Sequence, residues 1–388
     1  MPSKKPASSR HAHRPAKRAA HSPAKASVTA KSAGQRTATG RTVQTKPGAG
    51  GQRYVIGVDL GGTNIVVGAM PLDGTREYGV RSEPTHSELG ADSVVERIGR
   101  MIDDVIATTG TETGAARRDF IGVGIGAPGP LDREHGIVIV TPNLGWRDFP
   151  LRDRVSARVK LPATLDNDAN CATVGEWWRG AAAGGRNVVG MTIGTGIGGG
   201  LILEGQLYHG SSDVAGEVGH TTIDPTGRRC KCGNYGCLEA YASGPAIAQR
   251  ATEALAGGEA SLLRELIQDD MSRMTARIVY DAATLGDPLA VEVVRETARF
   301  LGTGVANLLN IFNPDVVVLA GGVAAAGDAL FEPLRAEVRR RAFRPAVEAC
   351  RIVGGTLAGT AGVVGAVATF MMQTLGGIGP HEHPRHHE

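Results

Sequence analysis

Tyr54-Val-Ile-Gly-Val-Asp59-Leu60-Gly61-Gly62-Thr63-Asn64-Ile65-Val-Val-Gly-Ala69 is the stretch on which the fold turns. Two apolar runs flank a Gly-Gly-Thr-Asn segment, a pattern that predicts a hairpin of buried strands with backbone N–H groups and hydroxyls at its tip. Glycine removes the Cβ atoms that would hold an anionic oxygen away, so such a tip can cradle phosphate. Asp59, at the end of the first run, is placed to hold Mg²⁺ through water, since this ion takes oxygen ligands and keeps part of its hydration shell. Taken alone, a Gly-Gly hairpin is often only a turn. The design recurs, however, at Asn187–Ile193, Gly194-Thr195-Gly196-Ile197-Gly198-Gly199-Gly200 and Leu201–Leu203. Two such hairpins can close on a polyphosphate from opposite sides. A third glycine pair, Gly321-Gly322, follows the apolar run Asp315–Leu319 and precedes a helix predicted from about Asp328. It suits close approach of an adenine or ribose, or else a plain tight turn. No Gly-x-x-x-x-Gly-Lys-Ser/Thr occurs, which argues against a P-loop NTPase.

The most specific chemistry lies between Glu217 and Glu239. The chain reads Glu217-Val-Gly-His220, nine residues of loop, then Cys230-Lys-Cys232-Gly-Asn-Tyr-Gly-Cys237-Leu-Glu239. One histidine and three thiols are the ligand set of a closed tetrahedral Zn²⁺ site. Gly233 and Gly236 supply the turns that would bring His220, Cys230, Cys232 and Cys237 together. Three close cysteines also suit a disulfide with a spare thiol, which belongs to an oxidising compartment, or a redox-sensing cluster. A structural ion here would fix Glu217 and Glu239 where their carboxylates can accept hydrogen bonds from neighbouring hydroxyls of a sugar.

Between these motifs the spacing predicts a helix over 92–107, with Val94, Val95, Ile98, Ile102, Val105 and Ile106 on its buried face, and a strand over 120–125. Asn143 stands between a proline and a tight turn, in Pro142-Asn143-Leu-Gly-Trp146. In Leu165-Asp166-Asn167-Asp168-Ala169-Asn170 a strand hands over to a helix running to about Arg179. Asp168 there is either a helix cap or a carboxylate positioned to accept the proton of an alcohol. Cys171 reads as a small core residue, and Trp177 and Trp178 as packing between lobes. Helices are expected over 246–256, 287–309 and 360–373, and a strand over 349–353.

Charge is unevenly spread. Residues 1–53 hold twelve of the 42 Lys/Arg and none of the 39 Asp/Glu, which leaves 30 basic against 39 acidic residues in the body. The basic segment, poor in apolar residues, is expected to be disordered, with weak salt-sensitive polyanion or nucleic-acid contact as its possible role. Histidines at 381, 383, 386 and 387 mark a second tail. No apolar run reaches the roughly 18–20 residues of a membrane span, and the chain reads as cytoplasmic.

Glu-x-Gly-His followed by Cys-x-Cys-Gly-x-x-Gly-Cys-x-Glu resembles the ROK family of bacterial sugar kinases and repressors, especially its glucokinases. The Asp-x-Gly-Gly-Thr hairpin resembles the first phosphate motif of the actin-like, ribonuclease H-like ATPases to which ROK kinases belong. The resemblance spans residues 54–373. It implies an α/β fold of two ribonuclease H-like lobes with a cleft between them and a structural zinc loop. The expected parts are a basic tail (1–53), a first lobe (54–180), a second lobe (181–373) and a histidine-rich tail (374–388). It further implies Asp168 as general base, with Asn143, Asn167, Asp168, Glu217, His220 and Glu239 on the sugar. Asp59, Gly61, Gly62, Thr63, Asn64, Gly194, Thr195, Gly196, Gly321 and Gly322 would take Mg·ATP, and the protein would be a homodimer. The activity implied is phosphorylation of glucose at its 6-hydroxyl. Other hexoses, a polyphosphate donor or a sugar-responsive repressor are the alternatives.

Overall fold

Two runs rich in Val and Ile flank the glycine pair within residues 54–71, and they pair as a hairpin: β1 (Tyr54–Leu60) runs antiparallel to β2 (Asn64–Pro71), with Asp59 opposite Val66. This computed structural model describes residues 51–378. The expectations for the basic segment up to residue 50 and for the histidine-rich end from residue 379 lie outside the described residues.

β3 (Tyr78–Pro84) extends the hairpin, and β4 (Phe120–Ala127) and β8 (Ala163–Asn167) add in parallel on the other side of β1, giving the order β3-β2-β1-β4-β8. A small antiparallel sheet of β5 (Leu131–Asp132), β6 (Ile137–Thr141) and β7 (Trp146–Phe149) interrupts the run. The predicted first helix is α1 (Ala91–Thr113), and all six of the apolar positions expected on its inner face are buried. Ile98 and Ile102 are wholly enclosed, so cutting either to alanine should cost about 2–5 kcal/mol. α2 (Leu151–Val159) buries Leu151, Val155 and Val159 against the same core, and α3 (Asp168–Arg179) leaves the end of β8.

The second sheet repeats the first. β9 (Val188–Ile193), β10 (Ile197–Leu203), β11 (Gln206–Leu207), β12 (Val316–Ala320) and β13 (Arg351–Gly354) lie in the order β11-β10-β9-β12-β13, with antiparallel pairing on one side of β9 and parallel pairing on the other. The short turn α4 (Glu239–Ala242), α5 (Gly244–Ala256), α6 (Leu263–Leu266), α7 (Ala276–Thr284) and the long α8 (Pro288–Phe312) follow β11. α9 (Asp328–Arg341) and α10 (Arg344–Ala349) lie between β12 and β13. α8 and α9 share a core with β9 and β12. The described residues thus hold two mixed α/β sheets of one topology.

α11 (Ala361–Leu375), the last helix among the described residues, packs on β1 and β4 of the first sheet. It approaches so closely that a Cβ on Gly124 would fall 1.8 Å from the Ala366 carbonyl oxygen. Where α11 crosses α3, a Cβ on Gly365 would fall 1.5 Å from the carbonyl oxygen of Cys171. Trp177 and Trp178 are buried beside Val188, Ile202 and Val316 of the second sheet and Val55 and Met70 of the first, as inter-sheet packing requires. Cys171 is a core residue.

Several boundaries differ from expectation: α1 runs on to Thr113 and α8 to Phe312, and the strand expected from residue 349 starts at Arg351 because Arg344–Ala349 is helical. The second glycine loop is shorter than residues 194–200, because Gly198, Gly199 and Gly200 belong to β10. These glycines leave room for neighbours: a Cβ at Gly198 would meet Ala169 at 2.7 Å, and one at Gly200 would meet Thr173 Oγ1 at 2.5 Å. The last helix extends past residue 373 to Leu375, where Gly376 at φ 82° ends it in the left-handed region.

Candidate active site

The strand-to-helix turn at the end of β8 assigns its polar residues separate tasks. Asn167, rather than Asp168, caps α3: its Oδ1 accepts from the N–H groups of Ala169 (2.9 Å) and Asn170 (3.1 Å). Asp168 Oδ1 accepts from Ala169 N–H at 2.8 Å, which orients the carboxylate. Burial raises the Asp168 carboxyl to about 6; the Ala169 hydrogen bond opposes this and the Glu217 charge adds to it. Asp59, at the end of β1, is raised to about 7 by burial and then by the charge of Asp168. Two buried carboxylates, one near the end of β1 and one at the start of α3, thus lie close enough for the charge of Asp168 to raise Asp59, an arrangement that marks acid–base or cation-dependent chemistry.

Asp59 also lines a cavity of about 470 Å³ with Glu176, Thr192, Gly321 and Gly322. Gly321 adopts φ 93°, and a Cβ there would lie 2.6 Å from the Ile193 carbonyl oxygen, so the turn brings β12 directly beside the end of β9. The opposite wall is the segment Gly354–Gly362, which the sequence reading did not single out. Its signal was available: Gly354-Gly355 stands at the end of β13 much as Gly321-Gly322 follows β12. Glu176, buried in α3, holds this wall in place by accepting from the N–H groups of Thr356 (3.1 Å) and Leu357 (2.9 Å).

The Cys/His loop is a preformed cage. Ligand atoms of His220, Cys230, Cys232 and Cys237 lie within 4.8 Å of one another, with Cys232 Sγ 3.7 Å from Cys237 Sγ and Cys230 Sγ 3.8 Å from His220 Nδ1. A tetrahedron with Zn–S bonds of about 2.3 Å has edges of about 3.8 Å, so the donor set fits such an ion. Gly233 turns at φ 98°, and a Cβ on Gly236 would fall 1.6 Å from the Asp224 carbonyl oxygen. Tyr241 braces the loop, donating to Asp224 Oδ2 at 3.1 Å and accepting from Arg228 N–H at 2.8 Å. His220 Nε2 faces away from the thiols, 4.0 Å from Glu217 Oε2.

Glu239 does something the motif does not reveal. Its Oε2 accepts from the N–H of Ile197 at 2.9 Å, while Oε1 accepts from Cys230 Sγ at 3.8 Å. One carboxylate therefore ties the cysteine loop to the second glycine hairpin, and a Cβ on Gly196 would fall 2.5 Å from it. Asn143 lies across from the first hairpin, its Cβ 3.2 Å from where one on Gly62 would sit. Among the expected phosphate residues, only Asp59, Gly321 and Gly322 line the 470 Å³ cavity. Gly61, Gly62, Thr63, Asn64, Gly194, Thr195 and Gly196 stand at exposed or half-buried hairpin tips instead. The first tip is closed by Gly61 N–H donating to Asn64 O (2.9 Å), the second by Gly194 N–H donating to Gly196 O (2.9 Å).

Comparison with known proteins agrees with this geometry. The ROK family model matches residues 55–373. A glucokinase of Halalkalibacterium halodurans is 38% identical over 315 residues, covering 81% of this chain and 93% of the relative. A xylose repressor of Caldicellulosiruptor bescii is 32% identical, over 83% of this chain and 79% of its own length. The crystal structure of a ROK family glucokinase from Streptomyces griseus, in complex with glucose and AMPPNP, superposes with a TM-score of 0.70 at 36% identity, over 81% of this chain and 98% of that one. With its repeated sheets, its His-Cys-Cys-Cys loop and a family match across nearly all described residues, the chain belongs to the ROK family.

Proposed function

We propose that this protein is a glucokinase, transferring the terminal phosphoryl group of ATP to the 6-hydroxyl of glucose. The observation that carries the reading is the buried, electrostatically linked pair Asp59 and Asp168. Asp168 lies under the influence of Glu217 in the cysteine-loop segment, and Asp59 lines the glycine-walled cavity. A sugar held by Glu217, His220 and Glu239, with Asn143 and Asn167 on its remaining hydroxyls, would present its terminal alcohol to Asp168. With Oδ1 engaged by Ala169, the Oδ2 atom accepts the proton as the oxygen attacks phosphorus. The adenosine end of ATP would rest on Gly321 and Gly322, and the phosphates between the hairpin tips at Gly61–Asn64 and Gly194–Gly196.

Asp59 would hold Mg²⁺, whose charge would offset both the phosphates and the carboxylate repulsion. Zn²⁺, held by His220 Nδ1 and the three thiols, would be structural, because four protein ligands leave no open position. Closure of a first lobe (54–180) on a second (181–373) would exclude water. We place the enzyme in the cytoplasm as a homodimer. Among the described residues no helix is long and apolar enough to cross a membrane.

A coupled assay over a panel of hexoses, with ATP or polyphosphate as donor, tests the reading. Glucose with ATP should give the highest kcat/KM. Preference for another hexose would move the specificity, and no phosphorylation of any sugar would leave the repressor reading in its place.

A further inference from the structure

Asp166 is only 1% exposed, two residues before the proposed base, and the mechanism above makes no use of it. A bare carboxylate in that position would be costly, yet this one is surrounded by donors. Its Oδ1 accepts from Asn167 N–H (2.9 Å) and Asn170 Nδ2 (3.1 Å), and its Oδ2 from Arg133 Nε (3.1 Å) and Gln373 Nε2 (3.3 Å). His209 Nε2 lies 3.0 Å from the same Oδ2. Burial acts to raise the carboxyl, but His209 and Arg133 hold it below the usual carboxylate range.

The partners come from three distant places: the turn after β5, the segment after β11, and the last helix. Arg133 reaches further still. Its Nη1 donates to Asp213 Oδ1 at 3.1 Å, and its backbone N–H to Asp213 Oδ2 at 3.4 Å. Asp213 adopts φ 57°, a conformation that costs a non-glycine residue energy unless its surroundings impose it. His209 and Asp213 both belong to the short segment that leads into Glu217, and Ala215 N–H closes that segment onto the His209 carbonyl at 3.1 Å.

We propose that Asp166 and Arg133 are positioning residues that lock the sugar-clamp segment 209–217 to the turn carrying Asp168, so that clamp and base are placed as one unit. The inference rests on the reading of Asp168 as base and Glu217 as clamp. The carboxylate of Asp166 fixes the Asn167 N–H, one residue from the base. Through Arg133, the same carboxylate is fixed to Asp213, four residues from the clamp. Loss of either link leaves each half folded but lets the alcohol and the base drift relative to one another.

The test compares Arg133→Gln, Asp213→Asn and their combination in the full-length protein, measuring kcat, the KM for each substrate, and Tm. Each single change should lower kcat about tenfold, the effect of a sub-ångström misplacement, with the KM for ATP unchanged. The double variant should be no worse than either single one, because both break the same link. His209→Gln, which keeps a donor toward Asp166, should retain most activity, while His209→Leu should lose about as much as the Arg133 variant. Should Arg133→Gln fail to fold, Arg133→Lys keeps the charge but cannot bridge two carboxylates, and should show the same loss of kcat. Variants that only lower Tm, with kcat within about twofold of the parent, would overturn the proposal, as would losses that multiply in the double variant. Asp168→Asn measured alongside separates the two readings. If it keeps turnover, the base assignment itself fails; if it is inactive while the Arg133 and Asp213 variants are unimpaired, only the lock fails.

Discussion

Replacing Asp168 by asparagine should do two opposite things at once. The change preserves shape and the hydrogen bond from Ala169 N–H, but removes the charge and the basic oxygen. If Oδ2 accepts the proton of the sugar alcohol, kcat should fall by about 10²–10⁴-fold, with sugar binding largely kept. Stability should rise. The carboxyl is lifted from 3.8 to about 6 by burial and by Glu217, so its ionised form is disfavoured in the folded state. At about 1.4 kcal/mol per tenfold, the upper bound on that penalty is near 3 kcal/mol. The sign follows from linkage: the folded value lies above the unfolded one, so the penalty is absent below pH 3.8, grows between 3.8 and about 6, and is complete above that. Removing the Asp168 charge also relieves Asp59, which that charge helps to raise. In ligand-free protein, Asp168→Asn should therefore raise Tm by about 2–6 °C at pH 8 and by little at pH 4. Thermal scans at both pH values, paired with the coupled kinase assay, measure both halves. Turnover within tenfold of the parent would remove Asp168 as base, and an equal Tm change at both pH values would refute the burial argument.

The same ionisation should appear in the rate: kcat/KM should fall as pH drops through about 6, because the base must be deprotonated in the free enzyme, and a flat profile from pH 5 to 8 would contradict this. Metal analysis should find about one zinc per chain. Stripping it, or changing Cys237 to alanine, should raise the KM for sugar about tenfold or more, since Glu239 and His220 lose their anchor; an unchanged KM in zinc-free protein would rule out the clamp. Gly365→Ala should destabilise by more than about 4 kcal/mol in urea unfolding, because its Cβ would collide with the Cys171 backbone at the α3–α11 crossing; a loss below about 1 kcal/mol would mean the two helices can separate cheaply.

Much of the site was legible in the residues alone where the needed geometry is local. The cysteine loop is the clearest case: thiols within eight positions and two turning glycines leave few ways to fold, and the four ligand atoms converge as the spacing implies. Helix faces such as Val94 to Ile106 were equally readable, because one periodic pattern decides which side is buried. The glycine run after Ile193 was misread in extent for a tertiary reason. Gly198 and Gly200 are small to admit α3, which precedes them in the chain by some twenty-five to thirty residues, and Gly199 is small to admit Gly216 and Val218, which follow it.

The sequence by itself determined the strand-glycine-strand hairpins, the cage of one histidine and three thiols, and the acidic turn that begins α3, since each is a pattern of neighbours whose geometry short-range sterics restrict. Only the tertiary structure decided that Asn167 rather than Asp168 caps that helix, and that the charge of Asp168 reaches Asp59. It also decided that Glu239 reaches Ile197, and that Asp166 gathers Arg133, His209 and Gln373 from up to 207 residues away. Charge coupling and burial depend on distance in space, and spacing along the chain carries no record of which remote side chains the packing of two sheets will bring within 3 Å.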